Sequence, residues 1–150
     1  MKVRLANKFD LPYFIKTVKT VQAKEFAKEF HEIELDEDYL NSLFVTVING
    51  GGIALIAESE EIVGMTFAVI TPNVWSPETF FLHNILFYVE PDWQHTRVGY
   101  QLIKAYNKAG LELKTENRIK EFTMTAAEPL FEVDFDRFDY KLIEKVYMGV

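Results

Sequence analysis

The fold is decided by the stretch Leu86-Phe-Tyr-Val-Glu-Pro-Asp-Trp-Gln-His-Thr-Arg-Val-Gly-Tyr-Gln-Leu-Ile103. It begins as an apolar run, breaks at Pro91, crosses a polar turn and restarts with the period of a helix. A strand, a tight turn and a helix in this order leave the first backbone N–H groups of the helix without intrahelical acceptors. Those donors and the positive end of the helix dipole suit a pyrophosphate, although an ordinary strand-to-helix connection has the same order.

The turn itself also carries residues that suit a phosphate-bearing ligand. Gly99 lets the backbone approach a ligand where a Cβ would obstruct it. Four further residues add side-chain donors, namely Gln94, His95, Thr96 and Arg97. Short phosphate motifs have real false-positive rates, so the elements around the turn must decide between the two interpretations.

The spacing within this stretch resembles the acyl-CoA signature of the GNAT N-acetyltransferase superfamily. The chain reads Val89-x-Pro91-x-x-Gln94-x-x-Arg97-x-Gly99-x-x-Leu102-Ile103. The family pattern is roughly V-x-P-x-x-[QR]-x-x-G-x-[GA]-x-x-L-[LI], so Arg97 occupies the position of the first glycine. Its side chain could crowd the pyrophosphate, or its guanidinium could pair with a phosphate. The surrounding sequence is similar to phage-borne and plasmid-borne members, some of which tolerate a bulky residue here.

Composition limits the domain count and the class of chemistry. A chain of 150 residues, 49% apolar and 15% aromatic, can bury a core as one domain, so we predict a single domain over residues 1–150. The resemblance implies that this domain is a GNAT-like acyltransferase domain. The absence of cysteine excludes a thiolate nucleophile and a cysteine-ligated zinc site, and we expect no metal.

Charge and hydropathy limit the partners. The net charge of −7 and the pI near 5.0 argue against a nucleic-acid surface and suit a cationic small molecule or a lysine-bearing protein. No apolar signal core follows Met1 and no stretch approaches about 18 uninterrupted apolar residues, so we expect a cytoplasmic protein without a membrane segment.

The spacing of apolar residues and the positions of glycines, prolines and capping residues predict the elements that precede residues 86–103. A half-buried strand around Val3 is followed by two helices, which begin at capping residues Asp10 and Asp36. The first helix is predicted to continue to about residue 26 or 30, and a glycine triplet at residues 50–52 ends the second. Three strands follow, over residues 53–57, 62–70 and 79–89, with a loop at 71–77.

The elements after the deciding stretch complete the order β-α-α-β-β-β-α-β-α-β. We predict a helix over residues 98–113, a strand over 119–125, a short helix or turn over 129–136 and a final strand over 141–148. This α+β order, around a central and mostly antiparallel sheet, is the order of the GNAT fold. The resemblance therefore extends over nearly the whole chain.

The resemblance implies acetyl-CoA as the acyl donor. Its pyrophosphate would lie over the amides of residues 94–99, and its pantetheine would pair like an added strand with the end of the strand over 79–89. An N–H group at a strand bulge near Val89 would stabilise the tetrahedral state. The implied contacts are Phe87, Val89, Gln94, His95, Thr96, Arg97, Val98 and Gly99.

The acceptor would attack the thioester directly, which requires a base for its ammonium group. His83 is the candidate, because it lies on the strand that would carry the thioester and histidine titrates near neutrality; a histidine satisfied by the adjacent loop is the alternative. Asn84 could orient an amine beside it. Glu32 lies with His31 in a segment that often lines the acceptor site in this family, although a solvated helix end is the simpler explanation of these charges.

The acid that protonates the leaving thiolate is where the sequence departs from the family. The alignment puts Phe135 at the usual tyrosine position and Glu128 where an asparagine is common, and phenylalanine has no hydroxyl to donate. Tyr140 is our candidate. Tyr106, Tyr88 or water are alternatives, and so is a packing role for Tyr140.

Two functions follow. The first is an acetyl-CoA-dependent N-acetyltransferase acting on a primary amine, of a small molecule or of a protein lysine or N-terminus. The second is a GNAT-fold binding or antagonist protein of mobile-element origin that has lost the chemistry. A homodimer that pairs through an exposed final strand is a further expectation.

Overall fold

The computed structural model describes residues 1–22, 34–125, 134–145 and 147. Its centre is a five-stranded sheet in which the strands are neighbours in sequence order. The first four strands pair antiparallel and the fifth joins the fourth in parallel. The predicted α+β class and the mostly antiparallel sheet are confirmed. The strands are β1 (Lys2–Leu5), β2 (Gly52–Glu58), β3 (Ile62–Asn73), β4 (Ser76–Val89) and β5 (Glu121–Thr123).

Helices cover both faces of the sheet. The helices α1 (Leu11–Val21) and α2 (Glu37–Thr46) pack on one face, where the rings of Phe14 and Phe67 stack with centroids 4.5 Å apart. The helix α3 (Val98–Thr115) covers the other face with Leu102 and Tyr106. Because β2 and β3 are buried on both faces, they have nearly continuous apolar sequences instead of alternating ones.

The two predicted capping residues behave differently. Asp36 Oδ1 accepts the N–H of Tyr39 at 3.0 Å, which confirms that it begins α2. Asp10 is the N-cap residue of α1, as predicted, but its side chain makes no capping bond, because its carboxylate accepts the N–H of Asn7 at 2.8 Å and is held by Arg4 at 2.8 and 2.9 Å. It closes a capping box on the short 3-10 turn Lys8–Asp10 that precedes α1.

The loop predicted over residues 71–77 is wrong, because β3 and β4 extend to a two-residue turn at Val74 and Trp75. The described pairing of β3 with β2 ends at Val69, and that of β4 with β5 begins at Phe81. The end of the hairpin therefore projects past its neighbours. Prolines are tolerated on such unpaired edges, so they did not mark a loop here.

The final strand predicted over residues 141–148 is also wrong for the part that the structure describes. Residues 141–145 and 147 form no strand, and Leu142 and Ile143 are 77% and 80% exposed. An alternating sequence becomes a strand only where a sheet edge supplies hydrogen-bond partners, and no described residue pairs with this segment.

Other predictions fall partly outside the described residues. The short helix or turn predicted over 129–136 overlaps a 3-10 helix at Phe135–Phe138, whose C-cap Asp139 has φ +62°. Its first residues lie outside the described residues, as does the extension of α1 to residue 26 or 30. Among the described helices, none has the length and apolar character needed to cross a membrane.

Candidate active site

The edge of β4 is the first feature of the candidate site. The described pairing between β4 and β5 ends at His83 and Thr123, whereas β4 continues to Val89. The N–H of Glu90 donates to Val63 O at 2.9 Å, toward β3. Because backbone groups alternate in direction along a strand, those of Val89 point to the opposite edge. The last residues of β4 therefore offer an edge beside α3 at which an extended ligand can pair.

A bulge in β4 lies just beyond the last β5 pair. Asn84 faces Ala68 and Leu86 faces Phe67, so Ile85 is the extra residue. The bulge is four positions before Val89, the place near which it was predicted. A bulge bends the strand that carries it, which accounts for its position where the pairing with β5 stops.

Two buried polar side chains hold this bulge. Thr66 Oγ1 donates to Leu86 O at 3.2 Å, and Asn84 Nδ2 lies 2.5 Å from Thr66 Oγ1 and 3.3 Å from Leu86 O. Asn84 is 2% exposed. Its amide donors are therefore engaged inside the sheet, and this geometry favours support of the bulge over the predicted contact with an amine.

The start of α3 presents backbone donors to the same edge. Its first intrahelical bond runs from Gln101 N to Arg97 O, so the amides before Gln101 point out of the helix end. The amides of Gln94, Thr96 and Val98 donate to acceptors within the turn. Among the described residues, those of His95, Arg97 and Gly99 have no acceptor. Alternate amides of the turn are thus available to an anion.

The side chains of the turn differ in what they contact. Gln94 Nε2 donates to Val89 O at 3.2 Å, which joins the turn to the end of β4. Thr96 Oγ1 donates to Trp93 O at 2.6 Å and accepts the N–H of Val98 at 3.3 Å, so it holds the turn that precedes the N-cap residue Arg97. Val98 is 2% exposed and packs in the core, so only its backbone is near the site. His95 is exposed.

Arg97 fits its position without strain. Its φ of −76° and ψ of −2° are ordinary right-handed values, so the backbone does not require the glycine that the family pattern has there. Arg97 is exposed and has no carboxylate within 4.0 Å in the described part of the chain. Its guanidinium is therefore available for a charge-assisted bond to a phosphate.

His83 stands at the last pair between β4 and β5. Its Nδ1 lies 3.1 Å from Thr123 Oγ1, and the ring is half-buried beside Phe81. The bond at Nδ1 fixes the ring, and Nε2 is the nitrogen that can accept a proton in the tautomer in which Nδ1 donates to Thr123 Oγ1. Its role as a base stays a prediction.

Tyr140 lies against the middle of α3. Its hydroxyl donates to Asn107 Oδ1, and its ring contacts Phe122 and Phe135 edge to face. Burial raises the pKa of Tyr140, and it also raises the pKa of the neighbouring Tyr106, whose hydroxyl donates to Thr123 O at 2.7 Å. Tyr140 is thus a protonated donor with an internal acceptor, and its role as the acid stays a prediction.

Sequence reasoning missed several residues around the site. Thr66 on β3 bonds to Asn84 and holds the bulge, and Thr123 on β5 bonds to His83. Tyr13 on α1 contacts Glu90, with its Oη 2.9 Å from Glu90 Oε1. These partners are distant in sequence, so no local pattern marks them. His31, Glu32 and Glu128 lie outside the described residues, and within the described part no three His, Asp or Glu side chains are grouped to hold a metal.

Solved structures share this architecture. No protein-family model and no curated protein sequence matches the chain. A predicted acetyltransferase with acetyl-CoA from Clostridium acetobutylicum is 15% identical, with a TM-score of 0.70 over 99% of this chain and 95% of that chain. An aminoglycoside acetyltransferase from an uncultured soil metagenomic sample, in complex with sisomicin, is 22% identical, with a TM-score of 0.64 over 99% and 95%.

A third solved structure was determined with a ligand that joins donor and acceptor. It is AAC(6')-Iy in complex with the bisubstrate analogue CoA-S-monomethyl-acetylneamine, 15% identical with a TM-score of 0.67, over 99% of this chain and 96% of that chain. At these identities the likeness establishes the fold and leaves the activity to be argued from the site. The chain has the fold of the GNAT acetyltransferases.

Proposed function

We propose that this protein is an acetyl-CoA-dependent N-acetyltransferase that acts on a primary amine. The observation that carries the proposal is the edge of β4 beyond His83, which runs directly into a turn with available amides at the start of α3. An extended pantetheine arm can add to such an edge by backbone hydrogen bonds, and a pyrophosphate suits the helix start. Solved structures of the same fold contain acetyl-CoA or a CoA conjugate, which supports this choice of donor.

The cofactor contacts follow from this placement. The backbone of Phe87 and Val89 would pair with the pantetheine arm, and the amides of His95, Arg97 and Gly99 would bind the pyrophosphate. An added methyl group at Gly99 would lie 3.9 Å from Phe87 Cζ and 4.0 Å from Val89 Cγ2. The fold itself therefore has room for a side chain at position 99, which is consistent with a glycine kept for close approach of a ligand.

The chemistry assigned to this chain is proton transfer and stabilisation of charge. His83 Nε2 accepts a proton from the acceptor ammonium, and the free amine then attacks the thioester carbonyl carbon. The C–N bond forms and the C–S bond breaks. The attacking nitrogen loses its second proton to water, and the leaving thiolate takes up a proton from water or from a tyrosine, so the protons balance. A backbone N–H at the edge of β4 stabilises the oxyanion, an interaction worth a few kcal/mol.

Direct binding of acetyl-CoA tests the proposal. Isothermal titration with acetyl-CoA should give binding by the unaltered protein and none by Gly99→Trp, because the indole fills the space beside β4. Lys108→Trp places the same side chain on the exposed face of α3 and should bind normally. Absence of binding to the unaltered protein at millimolar acetyl-CoA would refute the proposal.

A second candidate function is a GNAT-fold binding or antagonist protein without turnover. Two observations favour it, since Phe135 has no hydroxyl at the family's tyrosine position and the hydroxyl of Tyr140 donates to Asn107. Release of thiol from acetyl-CoA in the presence of amines distinguishes the two functions. Binding of acetyl-CoA without any amine-dependent thiol release would support the second candidate.

A further inference from the structure

The imidazole of His83 is held by a neutral hydroxyl group. His83 and Thr123 form the last described pair between β4 and β5, so their side chains lie on the same face of the sheet. His83 Nδ1 lies 3.1 Å from Thr123 Oγ1. Among the described residues, no other group bonds to the ring, and no carboxylate oxygen lies within 4.0 Å of its nitrogens. Thr123 is therefore the described residue that can orient this imidazole.

Thr123 is itself held from the opposite face of the sheet. Its carbonyl oxygen accepts the hydroxyl of Tyr106 at 2.7 Å. Tyr106 is fully buried beneath α3, and burial raises the pKa of its hydroxyl, so this group stays a protonated donor. The strand β5 is only three residues long and ends at Thr123. The bond from Tyr106 thus fixes the end of a short strand at the place where its side chain meets His83.

The direction of the bond between His83 and Thr123 decides which ring nitrogen is basic. A threonine hydroxyl can donate or accept, and a neutral imidazole carries its proton on one nitrogen only. If Thr123 donates to Nδ1, the ring proton is on Nε2, which then cannot act as a base. If Nδ1–H donates to Thr123 Oγ1, Nε2 has a free lone pair. The tautomer of His83 is therefore the property on which its proposed role depends.

Proton uptake at Nε2 is compatible with only one of the two directions. Both nitrogens of an imidazolium are donors, so a bond from Nδ1–H to Thr123 Oγ1 persists when Nε2 takes a proton. If Thr123 donates to Nδ1, Nε2 is already protonated, and uptake at Nδ1 would require the hydroxyl to reverse. A base that gains and releases a proton in each turnover keeps one orientation only when Thr123 is the acceptor.

We propose that Thr123 is a positioning residue that accepts Nδ1–H of His83 and so presents the lone pair of Nε2 to the acceptor ammonium. The inference rests on the proposed acetyltransferase function. An N–H bond of the ammonium breaks and an Nε2–H bond forms, and His83 later releases this proton to water. Thr123 neither gains nor loses a proton. Valine at this position keeps the branched shape and cannot accept, whereas serine keeps the hydroxyl.

The tautomer of His83 can be measured without acetyl-CoA and without turnover. Long-range ¹H–¹⁵N correlation spectra distinguish a protonated ring nitrogen from an unprotonated one at a pH at which the imidazole is neutral. The chain has three histidines, so the His83 signals are those that are missing from His83→Gln. The unaltered protein and Thr123→Ser should carry the proton on Nδ1. Thr123→Val should shift it towards Nε2, the tautomer that free histidine favours.

Turnover provides the second measurement. Thr123→Val should lower kcat by about tenfold, the factor expected for one lost hydrogen bond, and should leave the KM for acetyl-CoA within about twofold. Thr123→Ser should restore kcat to within about threefold of the unaltered protein. The control Thr115→Val removes the same hydroxyl at the far end of α3, where it bonds to Leu111 O at 3.0 Å. It should change neither kcat nor the His83 tautomer.

The outcomes separate this inference from the proposed function. If acetyl-CoA does not bind the unaltered protein, the proposed function fails, while the spectra still decide whether Thr123 sets the tautomer. If the unaltered protein carries the proton on Nε2, the inference is refuted. It is also refuted if a folded Thr123→Val protein keeps either the tautomer or the kcat of the unaltered protein.

Discussion

The start and the middle of α3 illustrate how one helix can serve both a site and a core. At its start, the amides of alternate residues have no acceptor within the described part of the chain, and Gly99 has open space beside it. Farther along, Tyr106 donates to Thr123 O, and an added methyl group at Gly110 would lie 2.7 Å from the ring of Phe122. The start of α3 thus has free space and amides without acceptors, whereas the middle of the helix is closely packed and its polar groups are bonded. This difference supports the proposal that acetyl-CoA binds at the start of α3.

The same comparison separates the two candidate catalytic residues. His83 borders the edge of β4 that continues toward the open start of α3, while Tyr140 lies over the closed middle with its hydroxyl on Asn107. An acid must reach the leaving group, and a hydroxyl bonded within the core is poorly placed to do so. The chemistry should therefore depend on His83 far more than on Tyr140.

The largest expected effect is on turnover. His83→Ala should lower kcat by about 100-fold or more, because a positioned general base contributes at least that factor. Tyr140→Phe should change kcat by less than about threefold, since phenylalanine keeps the packing and loses only the bond to Asn107. Release of thiol from acetyl-CoA in the presence of a primary amine acceptor measures both. If kcat of a folded Tyr140→Phe protein falls by more than threefold, the acid lies over the middle of α3. That result would contradict the conclusion that only the start of the helix serves the site.

The second effect is on stability and contrasts the two glycines of α3. Gly110→Ala should lower the free energy of unfolding by about 1–2 kcal/mol, because overpacking a filled core costs more than the helix gains from alanine. The Phe122 ring cannot move aside easily, since Tyr106 and Tyr140 contact it at centroid distances of 6.0 and 6.1 Å.

The matched variant is Gly99→Ala, whose methyl group meets no atom closer than 3.9 Å. It should leave the free energy of unfolding unchanged or raise it by up to about 1 kcal/mol. Its effect should instead be a weaker affinity for acetyl-CoA. Urea unfolding and calorimetric titration measure the two quantities. Equal losses of stability in both variants would mean that Gly99 serves the fold and not a ligand.

The sequence predicted the open start of α3 better than the rest of the site. The apolar run, the break at Pro91 and the return of helical period all lie within 18 consecutive residues, so local pattern was sufficient. The helix was predicted over 98–113 and is observed at Val98–Thr115. Its adjacent strand was predicted to begin at residue 79 and begins at Ser76.

Features that depend on distant contacts could not be predicted in the same way. The bulge lies at Ile85 because Thr66 and Asn84, 18 positions apart, bond to each other and to Leu86 O. A capping bond from the Asp10 side chain was expected because the sequence does not show that Arg4 binds this carboxylate in the fold. The end of the chain alternates like a strand, yet residues 141–145 have no described edge to pair with.

The smallest expected effect concerns Arg97, the residue at which the start of α3 departs from the family pattern. Its relaxed backbone, and the lack of a carboxylate partner among the residues that the structure describes, favour pairing with a phosphate over crowding. Arg97→Gln should therefore weaken acetyl-CoA binding by about three- to tenfold, the range of a partly exposed charge pair, and the loss should shrink at high salt.

Two controls make the Arg97 measurement specific. Lys108→Gln removes a positive charge from the exposed face of the same helix and should leave acetyl-CoA binding unchanged. Acetyl-pantetheine has no pyrophosphate, so its affinity should be the same for Arg97→Gln and the unaltered protein. If Arg97→Gly instead raises the affinity for acetyl-CoA, the Arg97 side chain crowds the pyrophosphate. The Arg97 side chain would then partly fill the start of α3, and the start and the middle of the helix would differ less than the backbone indicates.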